Sequence, residues 1–202
     1  MLAEWSVECA PDDPVLVVPW SDPSDPTGNR RFIDLRENPY DLDHLPEAEL
    51  YAPLLQALRA LNAGRSPVFT AKCDAWSMDA DELEALRIEL DLGDFTLDLR
   101  EMSCGFASYV DLLLRERSVF ASFHQNEEFA SRLVRRAEPL EYACAMLDCV
   151  IRPAMVDLTG PQEGFAISLY IKALGVDPET AEANWAAALE SVVGIIRGKD
   201  LS

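Results

Sequence analysis

His124, Glu127 and Glu128, in the stretch Ser122–Phe129 (SFHQNEEF), are the one place in the chain where a histidine stands beside a cluster of carboxylates. On a continuous helix they occupy i, i+3 and i+4, so an imidazole and two carboxylates share a face. Such a set could hold a divalent cation through His124 and Glu128, or use His124, Glu127 and Glu128 as catalytic acid-base groups. The string His-x-x-Glu-Glu falls one residue short of a His-x-x-Glu-His zinc arrangement, and the missing residue is a ligand. The other histidine, His44, lies far upstream in an acidic loop. A helix entrance explains the same letters without chemistry. Asn126 serves as N-cap, Glu127 and Glu128 sit in the first turn where the helix dipole favours anions, and Phe129, Leu133 and Val134 open a buried stripe. In that register His124 precedes the helix and Glu128 pairs with Arg132 one turn on.

Arg132, Arg135 and Arg136 then place three guanidinium groups on one helical face of an otherwise acidic chain. They are the natural contact for an anionic ligand or an acidic partner segment, unless they are a solvated face tied to Glu128 and other carboxylates. Cys104, in SCGF, is a thiol beside a turn with no base near it in sequence. The five cysteines are Cys9, Cys73, Cys104, Cys144 and Cys149, an odd number without a CxxC pair. Cys144 and Cys149 share no face of a helix or a strand, so the set reads as reduced thiols rather than as a zinc site or a disulfide framework. Asp22, Asp25 and Asn29 offer oxygen ligands without the spacing of a calcium loop and read as a turn. Nucleotide-binding glycine loops, a nucleophile elbow and a His-Glu-x-x-His pair are all missing, and no cofactor is expected.

The chain has 202 residues and a formal charge of −19, with acidity concentrated early. Residues 1–50 hold 12 acids against 3 bases, and residues 73–101 hold 10 against 2. Such a surface repels nucleic-acid phosphates and anionic membranes, so neither is an expected partner. The acidic start carries no secretory signal, and there is no apolar run long enough to span a bilayer, which together with the reduced cysteines implies a cytoplasmic protein.

The elements that must position these groups follow from periodicity. Val15–Trp20 reads as a short strand closed by turn formers, and Arg31–Glu37 as a second. From Pro46 to Ala63, Leu50, Leu54, Leu58 and Leu61 recur at helical spacing ahead of Gly64. Residues 66–76 read as a strand, and 79–87 as a short acidic helix or turn. Ile88, Leu90 and Leu92 alternate with acids, Gly93 and Asp94 intervene, and Phe95, Leu97 and Leu99 alternate again, the pattern of a hairpin over 88–99. Residues 106–116 suit a strand or a helix. Residues 142–153 read as a strand ending at Pro153, and 165–174 as its hairpin partner. Asp177 and Pro178 open a helix carrying Ala181, Trp185, Leu189, Val192 and Ile196.

The expected fold is therefore α+β: a mostly antiparallel sheet built from hairpins, with amphipathic helices packed on it. Residues 1–202 form one domain; the charge step near residue 102 marks where an acidic N-terminal half would part from a C-terminal half. With so little catalytic chemistry in view, the expected function is binding, to another protein or to a second copy of the chain. The alternative is a metal-dependent hydrolase or other carboxylate acid-base enzyme centred on His124, Glu127 and Glu128.

Overall fold

Six strands form one sheet in a computed structural model that describes residues 1–198 apart from 23, 26, 27, 29, 30, 39, 40, 43, 44, 46–48 and 93–98. The strands are β1 (Leu2–Val7), β2 (Leu16–Val18), β3 (Val68–Ser77), β4 (Cys104–Leu114), β5 (Ala145–Asp157) and β6 (Pro161–Gly175). The helices are α1 (Ala52–Asn62), α2 (Ala80–Leu92), the short α3 (Arg117–Phe120), α4 (Phe123–Ala137) and α5 (Pro178–Ile196). The α+β class expected from the sequence is the class of the fold.

The sheet is mixed rather than mostly antiparallel. Its order is β1-β5-β6-β4-β3, and β2 continues along the same edge of β5 that β1 occupies. β3, β4, β6 and β5 alternate in direction, but β1 and β2 both run parallel to β5. Strands on either side of residue 102 thus share one sheet. Pro153 does not end β5. Ile151 accepts a hydrogen bond from the Glu8 amide on the β1 side, and alternation turns the Pro153 nitrogen the same way, into the gap between Val7 and Leu16 where no ladder asks for a donor. The β5–β6 hairpin closes through Leu158, Thr159 and Gly160, whose φ of 111° requires glycine.

One face of the sheet carries the helix layer. α1 inserts Leu54, Leu58 and Leu61, α4 inserts Phe129 and Leu133, and α5 inserts Trp185, Leu189, Val192 and Ile196 against Phe106, Val110, Leu147, Ile167 and Ile171. Leu50, expected on the α1 stripe, is 74% exposed. Gly175 is glycine because α5 returns directly onto the strand end: a Cβ there would lie 2.2 Å from the Ala181 amide nitrogen. Arg115 closes the C-terminus of α1, donating to the carbonyls of Asn62 at 2.7 Å and Val68 at 2.8 Å. The helices do not share one clean two-faced pattern, since α2 buries Leu86 and Leu90 but leaves Ile88 55% exposed.

Residues 88–92 belong to α2, so the hairpin expected over 88–99 does not form; 93–98 lie outside the described residues. A capping box decides the matter. The Asp79 carboxylate accepts from the Glu82 amide at 2.9 Å, and the Glu82 carboxylate accepts from the Asp79 amide at 3.0 Å. The helix formers that follow carry it through the alternating stretch. Arg31 makes only an isolated bridge to Ser21, and residues 32–37 are not the strand their apolar run implies. Among the described residues, no helix is long and apolar enough to cross a membrane.

Candidate functional site

Helix α4 starts four residues earlier than Asn126 would dictate. Ser122 is the N-cap, its hydroxyl accepting from the Gln125 amide, and Ser-x-x-Gln is itself an N-terminal signature. His124, Glu127 and Glu128 therefore all lie on the helix, and His124 Nδ1 is 3.5 Å from the Glu127 carboxylate. The His124 side chain is 82% exposed, and no group of three His, Cys, Asp or Glu side chains suited to a metal ion occurs among the described residues. Asn126 is wholly buried and fastens the corner between α3 and α4, donating to the carbonyls of Val119 at 2.9 Å and Ser122 at 3.0 Å. Replacing Asn126 with Ala removes both side-chain bonds and leaves a void at that buried corner, although each carbonyl keeps a backbone donor, and the expected loss is about 2 kcal/mol in urea unfolding.

The arginine stripe divides. Arg132 lines a groove with His124 and Glu128, whereas Arg135 and Arg136 are exposed outside it. The expected Glu128–Arg132 ion pair is not made, and Arg132 Nε is shut off from solvent without an acceptor.

A larger collection of polar groups lies where no motif pointed, on the sheet face opposite the main helix layer. Two apolar patches occupy the ends of that face. At one end α2 sets Leu86 and Leu90 on Met146 and Leu174; at the other, Val18, Phe69, Phe120 and Val156 pack together. Between them the ladder lines up two polar rows. One runs Asp74, Tyr109, Tyr170, Asp148 and Glu4, and the next runs Lys72, Asp111, Ser168, Val150 and Ser6.

Alternation explains the rows. On β4, β5 and β6 the neighbours of these residues point into the helix-covered core, so the polar side chains emerge together on the other side. Asp111 is only 6% exposed and Ser168 1%, and the Ser168 hydroxyl donates to the Asp111 carboxylate at 2.6 Å. Burial lifts the Asp111 carboxyl above its ordinary range despite that bond and the charges of Arg152 and Lys72. Burial, with the charge of Glu4 behind it, pushes Asp148 up to about 6. Its Oδ1 is enclosed and has no donor. Burial and the neighbouring Asp111 and Asp74 also raise the Tyr109 phenol. The rings of Tyr109 and Tyr170 stand 5.9 Å apart, and Arg152 reaches over Tyr170 while its guanidinium pairs with Glu8 at 2.9 Å.

No family model, curated protein or solved structure matches this chain. Its own residues carry the functional reading. Chemically, the strip offers enclosed acceptors, two phenol rings and one braced guanidinium on a rigid sheet, which suits recognition of a cationic group. The signal that would have found it is a charged residue inside a run otherwise apolar on both faces: Asp111 in YVDLLL and Asp148 in MLDCV.

Proposed function

We propose that this chain is a protein-interaction module whose recognition surface is the polar strip around Asp148 and Asp111, and whose partner presents a basic segment. The observation that carries the reading is the half-buried Asp148 carboxylate, held on the sheet with its Oδ1 enclosed and lacking a donor. A lysine or arginine side chain laid along the strip supplies that donor, and Tyr109 and Tyr170 give it ring faces. The charge of −19 steers such a segment inward and sets two copies of the chain against each other, which favours a basic partner over self-association. The same charge disfavours nucleic acid. None of the five cysteines is in a disulfide, which fits a reducing compartment, and we place the module in the cytoplasm.

The test uses a lysine-rich decapeptide and its glutamate counterpart as probes, followed by amide chemical shifts. The lysine peptide is expected to move the amides around Asp74, Tyr109, Asp148 and Tyr170, with affinity falling as salt rises and dropping at least about ten-fold in Asp111→Asn/Asp148→Asn. Shifts spread evenly over the acidic surface, or unchanged in the double variant, overturn the reading.

A second reading rests on the same carboxyl. Raised to about 6, Asp148 can carry or release a proton near neutrality. If the chain is a carboxylate acid-base enzyme, Asp148 is thus a better centre than the exposed His124 and Glu128 or the half-buried Glu127.

A further inference from the structure

The groove beside α4 is independent of the sheet-face strip. It is about 550 Å³, within the range of small-ligand pockets. Pro67, Leu114, Val119 and Phe129 give it an apolar lining where the start of β3 and the end of β4 meet α3 and α4. Two guanidinium groups border this lining, and they differ in what they already hold. Arg115 is engaged by the carbonyls of Asn62 at the end of α1 and Val68 at the start of β3. The Arg132 side chain makes no hydrogen bond or ion pair with any described residue, and its Nε is closed off from solvent. The carboxylates that could have served it do not. Glu128, one turn away, is exposed and outside ion-pair distance, and Glu116 accepts instead from Ser118 at 2.7 Å.

We propose that this groove binds an organic monocarboxylate with an apolar body, its carboxylate on Arg132 and its body on Val119, Leu114 and Phe129. An enclosed donor without an acceptor calls for an anion, and a guanidinium matches a carboxylate with two parallel hydrogen bonds. A single charge is what one open guanidinium neutralises; Glu116 and Glu128 at the rim oppose a phosphate dianion. The apolar lining rewards a hydrocarbon or ring, which separates the ligand from acetate-sized anions.

Octanoate is the probe, with octanol and octylammonium as its neutral and cationic counterparts. In amide-shift titrations octanoate is expected to perturb residues 114–132 and to bind at least about ten-fold more tightly than either counterpart. Arg132→Gln is expected to abolish that preference, Gln125→Trp to obstruct the groove and weaken all three, and Arg135→Gln, outside the groove, to change nothing. Circular dichroism checks that each variant is folded, and the comparison of the three probes on the wild-type chain stands without any variant. Equal binding of octanoate and octanol overturns the proposal, as does an octanoate preference that survives in folded Arg132→Gln or maps away from α4.

Discussion

Replacing Trp185 with Ala is expected to remove about 3–5 kcal/mol of stability, the largest loss of any single substitution named here. Trp185 is fully buried at the centre of the helix-covered face. Its ring centroid stands 4.7 Å from that of Phe106 and 6.2 Å from that of Tyr51, so it joins α5 to β4 and to the residue preceding α1. Its indole N–H donates to the Ser108 hydroxyl at 2.8 Å, and Ser108 is itself 1% exposed. Truncation therefore opens a cavity and strands a buried hydroxyl at once. Trp185→Phe separates the two costs: it keeps most of the apolar contact and forfeits the hydrogen bond, with an expected loss of about 1–2 kcal/mol. Urea unfolding followed by circular dichroism checks both. Against a typical total of about 5–15 kcal/mol, the Ala variant forfeits a large share of the stability. A loss below that of Trp185→Phe would show that α5 does not organise the core.

What the sequence made legible was local. Asp177 and Pro178 announce α5, and the Asp177 carboxylate does accept from the Thr180 amide at 2.7 Å. The stripe of Leu54, Leu58 and Leu61 gives α1, and the runs read as strands at 66–76 and 165–174 are β3 and β6, whereas 106–116 suited a strand or a helix equally and only the fold makes it β4. What it hid was long-range. β1 and β2 pair with β5 about 140 residues later, and no local pattern specifies a parallel partner at that distance. The stretch around Ile88 and Leu90 misleads for another reason. Its alternation fits a strand, but Leu83, Leu86 and Leu90 recur equally well at helical spacing, and only the Asp79–Glu82 capping box breaks the tie.

The site divides in the same way. His124, Glu128 and Arg132 fall at i, i+4 and i+8 and do line one groove, so their shared face was legible once α4 was known. The strip was not. Its two rows take residues from five strands, and only the register brings Asp74, Tyr109, Tyr170, Asp148 and Glu4 abreast. A one-residue slip in any ladder would turn the polar set into the core. The same dependence on register makes the strip stiff, because each side chain rides on a strand bonded on one or both flanks.

Stiffness and burial together give Asp148 a measurable cost. Its folded value of about 6 lies above the ordinary 3.8 that the unfolded chain restores. Between those pH values the folded chain holds a proton that the unfolded chain has released, so this carboxyl makes stability fall as pH rises from about 4 to about 6, without recovery above. Full burial would make the cost close to 3 kcal/mol, but the carboxyl is partly open to solvent, and screening leaves about 1–2 kcal/mol. Asp148→Asn is therefore expected to be more stable than the wild type by that amount at pH 8 and nearly equal to it at pH 4. Taking the difference between the two proteins cancels carboxyls that respond in the opposite sense, such as Asp34, held low by its hydrogen bond from Arg36. Urea unfolding at the two pH values checks the gain. A difference that does not change with pH, or an Asn variant weaker at pH 8, would mean that Asp148 is satisfied in the folded chain and has no acceptor to offer. A gain at pH 8 together with lost affinity for the lysine peptide is the signature of a group kept at a cost to stability because it recognises something.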